Sequence, residues 1–156
     1  MGKSGDVMFI GEYNHNLDEK NRLMIPSKFR EQLTNTFILT RGLDGCLVIY
    51  SIESWNNITS KLNTLPFTKK DARNFLRFIA SNAIDLQFDK QGRIVIPNNL
   101  KIHAGLSKEC VVIGTLDKIE IWSKENWDKF NLENKDKFEL IAENLFNGES
   151  GEYDAL

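Results

Sequence analysis

Residues 18–26 read Asp-Glu-Lys-Asn-Arg-Leu-Met-Ile-Pro, and residues 89–97 read Asp-Lys-Gln-Gly-Arg-Ile-Val-Ile-Pro. At an offset of 71, Asp, Arg, Ile and Pro coincide. The likeness extends upstream, where Tyr13, His15 and Leu17 align with Ile84, Leu86 and Phe88. Downstream the offset becomes 72. Ser51 and Trp55 align with Ser123 and Trp127, and Leu47-Val48-Ile49-Tyr50 with Ile119-Glu120-Ile121-Trp122. A repeat of this length, too small to bury its own apolar edge, points to two copies interlocked around one core and related by a pseudo-two-fold axis.

Each copy reads as strand, tight loop, strand, short helix and two further strands. Residues 12–17 and 83–88 alternate polar and apolar, the period of a half-buried strand. Arg22 and Arg93 open second strands that Pro26 and Pro97 end. The prolines then suit the first turns of helices over 27–33 and 98–104, with Gly105 as a C-terminal cap. Further strands fall at 37–40, 46–50, 110–115 and 119–122, with hairpin turns at Asp44-Gly45 and Leu116-Asp117. Asn21 stands where the other copy has Gly92, and Gly11 where it has Asn82. Gly and Asn tolerate positive φ, so both pairs predict left-handed backbone in both copies.

Between the copies, Trp55, Ile58, Leu62 and Leu65 have helical spacing. Thr68-x-x-Asp71 has the form of a capping box before Ala72, Phe75, Leu76 and Ile79. Ser123 suits the cap of a helix bearing Trp127 and Phe130, and Phe138, Ile141 and Leu145 form a later stripe closed by Asn147-Gly148. The division expected is a first repeat over 9–54, a helical connector over 55–79, a second repeat over 80–126, helices over 127–147 and a disordered tail over 148–156, in one compact domain. The fold class is α+β, mainly β. Met8 reads as a natural start, with residues 1–7 foreign to the native chain.

Composition narrows the function. The 156 residues are 41% apolar and 27% charged, which is ordinary globular usage. No apolar run reaches the length that spans a bilayer, so a cytoplasmic protein without a membrane partner is expected. Cys46 and Cys110 have no metal-ligand or redox spacing and read as core residues. His15 falls on an apolar strand face and His103 on a helix surface. No P-loop, dinucleotide fingerprint or Ser/His/Asp grouping occurs. The reading is therefore not an enzyme, with no catalytic residue, no metal, no cofactor and no small-molecule substrate. The net charge of −2 conceals an asymmetry. Residues 131–156 hold seven acids against two lysines, whereas residues 61–101 hold eight Lys and Arg against three Asp. Lys69, Lys70, Arg73 and Arg77 share a helical face, read as solvated or as a subunit contact. Trp55, Trp122, Trp127, Phe75 and Phe78 read as packing.

Two loop tips carry the functional signal. Arg22 and Arg93 each leave a loop after a residue suited to positive φ, with Lys20 and Lys90 close by. An arginine fork can bind guanine or phosphate through two parallel bonds, and a two-stranded ribbon fits the major groove. The alternative is internal: Asp18 and Asp89, four residues before each Arg, would bridge to it and hold the loop with no ligand. A hydrolase using the two aspartates has little support.

These motifs, with FIGEYNHNLDEKNRLMIPSKFREQL, TRGLDGCLVIY, LPFTKKDARNFLRF and LDKIEIWSKENW, resemble the MraZ family of bacterial transcriptional regulators over roughly residues 8–130. The resemblance implies two AbrB/SpoVT-like units fused into a pseudo-dimeric swapped-hairpin β-barrel. It also implies binding to double-stranded DNA as short G-rich direct repeats at the promoter of the division and cell-wall gene cluster. A ring-shaped homo-oligomer associated with the nucleoid would do so. By position, Arg22 and Arg93 would read base edges, Asp18, Asp89 and Gly92 would shape the loops, and Lys20, Lys90 and Asn21 would lie at the DNA. The competing reading is an oligomeric structural or protein-binding (antitoxin-like) barrel module whose loop arginines only bridge to aspartates, without DNA readout of its own.

Overall fold

The computed structural model describes residues 7–147, so the tail expected after 147 and residues 1–6 lie outside it. The described chain divides after Lys124 into two compact units.

The first unit contains strands β1 (Phe9–Asn16), β2 (Arg22–Met24), β3 (Phe37–Arg41), β4 (Leu47–Ser51), β5 (Ile84–Leu86), β6 (Arg93–Val95), β7 (Glu109–Leu116) and β8 (Ile119–Ser123). Helices α1 (Ser27–Arg30), α2 (Ile52–Leu62), α3 (Lys70–Ala80) and α4 (Asn98–Ala104) punctuate them. Six strands form an antiparallel sheet in the order β1-β7-β8-β4-β3-β5, and β2 and β6 form a separate ribbon. The fold is α+β.

The register shows how the two copies exchange partners. β1 of the first copy pairs with β7 of the second, and β5 of the second pairs with β3 of the first. β4 pairs with β8 around the opposed residues Val48 and Glu120, which are themselves repeat equivalents. Leu47 and Ile49 oppose Ile121 and Ile119 on either side. In the ribbon, Leu23 opposes its equivalent Ile94, flanked by Arg22 opposite Val95 and Met24 opposite Arg93. Both ladders are thus centred on pairs 71 or 72 residues apart, and a pseudo-two-fold axis runs through them. Leu23, Ile25, Ile94 and Ile96 are buried from the ribbon side, with Leu39, Leu47, Ile49, Val112, Ile119 and Ile121 from the sheet, in one core. Burying each such side chain contributes roughly 1.5–3 kcal/mol, and both copies supply side chains to that one core.

The left-handed expectation holds at three of four positions. Asn21 has φ 61°, Gly92 φ 81° and Gly11 φ 107°. Asn82 does not have positive φ. Gly11 lies within an eight-residue strand opposite Gly114, whereas Asn82 follows the end of α3 and leads into a three-residue strand. The neighbours differ, and the backbone with them. Three local readings also need correction. The helix expected over 27–33 stops at Arg30, because Gln32 and Leu33 N–H donate to Phe29 and Arg30 carbonyls three residues back, tightening the last turn. The Thr68–Asp71 box does not cap α3, whose N-cap is Lys69 with no side-chain bond. His103 is half-buried rather than on the surface, edge-on to Phe78 at 5.8 Å. Arg41 explains that burial, since it anchors the end of α3 by donating Nε and Nη2 to the Phe78 carbonyl (3.0 and 2.8 Å) and lying over its ring.

The second unit holds α5 (Lys124–Asn134), which begins at the last residue of the first, and α6 (Phe138–Asn147). Trp127 and Phe130 stack at 5.2 Å, and Phe130 meets Phe138 at 6.3 Å. On α6, Leu140 is 59% and Phe146 81% exposed.

Candidate nucleic-acid interface

The ribbon β2–β6 has two unlike faces. Successive residues of a strand point to opposite sides, and directly opposed residues share a side. Leu23 and Ile94 are fully buried. Arg22, Met24, Arg93 and Val95 therefore make the outer face, where Val95 is 55% exposed. The two arginines lie diagonally across the pseudo-axis.

Each arginine is set by the loop before it, and the two loops make the same bonds. In the first, Asp18 N–H donates to the Arg22 carbonyl (3.0 Å) and Asn21 N–H to the Asp18 carbonyl (3.0 Å). Asp18 Oδ1 accepts from the N–H groups of Lys20 (2.9 Å) and Arg22 (2.8 Å), and Oδ2 accepts from Arg22 Nε (2.7 Å). In the second, Asp89 and Gly92 make the equivalent backbone bonds at 2.9 and 3.0 Å. Asp89 Oδ1 accepts from Gln91 and Arg93 N–H, and Oδ2 from Arg93 Nε, all at 2.9 Å. An aspartate accepting from the backbone two and four residues ahead is an Asx-type turn, and the left-handed residue lets the chain reverse within it. The Arg22 and Arg93 backbone bonds, reinforced by their guanidinium groups, hold the Asp18 and Asp89 carboxyls below the ordinary carboxylate range.

The internal Asp–Arg bridge is therefore present in both tips. It engages one edge of the fork, through Nε; the two Nη groups form the other edge. Arg93 Nη1 also lies 4.0 Å from Asp18 Oδ2, so that carboxylate faces both arginines. The side chains of Arg22 and Arg93 remain 31% and 24% exposed, sealed neither from solvent nor from a ligand. Lys20 and Lys90 are exposed at the tips. Asn21 is half-buried, its Oδ1 accepting from Lys101 Nζ at 3.1 Å.

Lys101 and Arg30 are contributors that tip-centred reading overlooks. Arg30 lies over Gly92, and its Nη1 donates to the Ile25 carbonyl. The two stand 71 residues apart, so the repeat offset itself could have found them. The remaining candidates lie elsewhere. Arg73 donates to the Phe67 carbonyl and Arg77 to Asn74 on α3. His15 is half-buried on β1, its pKa lowered by burial and then by Arg30. Cys46 and Cys110 are buried, which pushes their thiols up to about 12 and about 11. Among the described residues no group of three or more His, Cys, Asp or Glu side chains is placed to hold a metal ion. No helix there is long and apolar enough to cross a membrane.

Two copies of one turn, on a ribbon centred on its own repeat axis, correspond to a two-repeat family pattern. The sequence model described as "MraZ protein, putative antitoxin-like" matches residues 8–78 and again residues 79–148. The chain belongs to the MraZ family. A curated member, the transcriptional regulator MraZ of Lactobacillus helveticus (strain DPC 4571), is 53% identical over 138 residues, covering 88% of this chain and 96% of its own length. Both MraZ matches span one complete tip, the first containing Asp18–Arg22 and the second Asp89–Arg93.

Proposed function

We propose that this chain is a DNA-binding transcriptional regulator, not an enzyme, and that it reads DNA with the outer face of the β2–β6 ribbon. The observation that carries the proposal is the pair of identically bonded Asp–Arg tips related by the ribbon axis. A carboxylate on Nε fixes the plane of the guanidinium before any ligand arrives, which reduces the ordering cost of binding. The Nη edge then faces outward for two parallel bonds to guanine O6 and N7, that of Arg93 lying 4.0 Å from Asp18 Oδ2 at Nη1. Lys20 and Lys90 supply phosphate contacts from the same tips, Asn21 and Gly92 set the turn, and Asp18 and Asp89 hold it. No cofactor or small-molecule substrate enters this scheme.

The finer reading follows from family membership. The operators would be short G-rich direct repeats at the promoter of the division and cell-wall gene cluster, and the protein would sit on the nucleoid. Direct repeats suit head-to-tail copies closed into a ring, and several weak tips on one face add through effective concentration. The apolar side chains exposed on α6 support self-association. The second reading, a protein-binding antitoxin-like module, draws on the family description and on the bridges, which also make sense as scaffolding alone.

Fluorescence anisotropy with duplex DNA from upstream of the chain's own gene tests the proposal. Arg22→Ala/Arg93→Ala should weaken binding by ~1–3 kcal/mol per arginine, with the oligomer unchanged by light scattering. Wild-type affinity in that variant would overturn the assignment. Binding should also fall steeply with salt as counterions are released; a flat profile would remove phosphate contact from the scheme.

A further inference from the structure

The two tips are not held only by their own aspartates. At each, the left-handed residue receives two contacts from the opposite side of the axis. The Gly92 carbonyl accepts from Ile25 N–H (3.1 Å), and Arg30, five residues on, lies against Gly92. The Asn21 carbonyl accepts from Ile96 N–H (2.8 Å), and Lys101, five residues on, donates to its side chain. Both contacts cross from one copy to the other.

We propose that Arg30 and Lys101 are positioning residues for DNA contact, each setting the tip of the other repeat rather than its own. This rests on the reading of Arg22 and Arg93 as the DNA-contacting groups.

The chemistry of the two grips differs, and the difference is matched. A Cβ built on Gly92 would lie 2.5 Å from Arg30 Cζ and 2.6 Å from its Nε and Nη1. The guanidinium occupies the space a side chain would need. It cannot swing away without cost, because its Nη1 donates to the Ile25 carbonyl and contacts Met24 Sδ at 3.5 Å. Arg30 thereby ties Ile25 and Gly92 together, the two residues already joined by a backbone bond. At the first tip residue 21 has a side chain, and the opposing cation is the slimmer lysine, which uses that side chain as its acceptor. Asn pairs with Lys and Gly with Arg. Asn opposite Arg would collide with the guanidinium, and Gly opposite Lys would remove the acceptor. The orientation of each arginine therefore depends on the cation of the other copy.

Backbone amide exchange of the full-length ¹⁵N-labelled protein tests this without DNA. Arg30→Ala should speed exchange about 5-fold at Gly92 and Arg93 and leave Asn21 and Arg22 unchanged. Lys101→Ala should do the reverse. Loosening of a variant's own tip, of both tips equally or of neither would overturn the proposal. Gly92→Asn alone should loosen the second tip, and Gly92→Asn/Arg30→Lys, which rebuilds the pairing of the first tip, should restore exchange to within about 2-fold of wild type. Failure to restore it would count against matched grips.

Anisotropy on the upstream duplex supplies the functional arm. Arg30→Ala should add nothing to the loss in Arg93→Ala and add in full to the loss in Arg22→Ala. If the arginine variants lose affinity and Arg30→Ala or Lys101→Ala does not, the positioning role falls while the DNA reading stands. If neither arginine variant loses affinity, the DNA reading falls, and the exchange data still decide whether the grips cross.

Discussion

The two tips share the bonds of their Asx-type turns, yet the segments that feed them differ. The first follows an eight-residue strand with Gly11 at positive φ, and the second follows a helix and a three-residue strand. The copies keep the same backbone bonds where they meet across the pseudo-axis, with different side chains gripping each tip, and diverge in backbone where each faces a different neighbour. Each half of the ribbon is the other's template, so a change there must be answered across the axis. Gly11 has Gly114 across the sheet, whereas Asn82 meets Asn99 and the end of α3.

Breaking the comparison at its centre should have the largest effect. Leu23→Ala and Ile94→Ala should each cost roughly 2–5 kcal/mol in thermal unfolding, and by similar amounts, since both fill the core at the axis. A loss at one with tolerance at the other would mean the ribbon is not shared equally. Next in size is Gly11→Ala. At φ 107° the new Cβ would meet the Tyr13 ring at 3.2 Å, and the strain should cost ~1–3 kcal/mol, whereas Asn82→Ala should stay within about 0.5 kcal/mol. Equal losses in denaturant melts would restore the symmetry that the backbone lacks.

The tips themselves should behave alike under acid. The Asp18 and Asp89 carboxyls are held down by bonds present only in the fold. Their contribution is therefore complete above the unfolded value, about 3.9, and is lost as pH falls through the lowered folded one. Carboxyl titration by NMR should give both midpoints below that value; an ordinary midpoint at either would mean its turn is open in solution. The smallest effect should come from the far hairpins. The first copy turns through Asp44 and Gly45, and the second places Leu116 at φ 79°. Leu116→Gly should raise stability by up to ~1 kcal/mol, and a lower Tm would show that the leucine side chain contributes more than its backbone strain costs.

Much of this fold was legible because repetition doubles each local signal. Asp18, Arg22 and Pro26 mean little alone, but the same residues at 89, 93 and 97 fix a turn, a strand and a helix start. The Asn21/Gly92 exchange revealed the turn's handedness, since only a backbone requirement explains that pair of residue types. The same logic failed at Gly11/Asn82, where residue type matched but tertiary neighbours did not. Arg30 and Lys101 were hidden for a different reason. Each acts on the opposite copy, about 62 and 80 residues away in sequence, so no local pattern marks them and only their own offset of 71 links the two. The Thr68–Asp71 box misled because α3 starts one residue later than the box requires, with Lys69 and not Thr68 at the N-cap.

One buried thiol falls in each repeat, Cys46 beside β4 and Cys110 within β7, and burial shields both from solvent and raises their pKa values further above the ordinary thiol range. Maleimide trapping can therefore serve as a pair of independent clocks, each starting only when its own half opens. Two clocks running at one pace would mark a molecule whose halves come apart together.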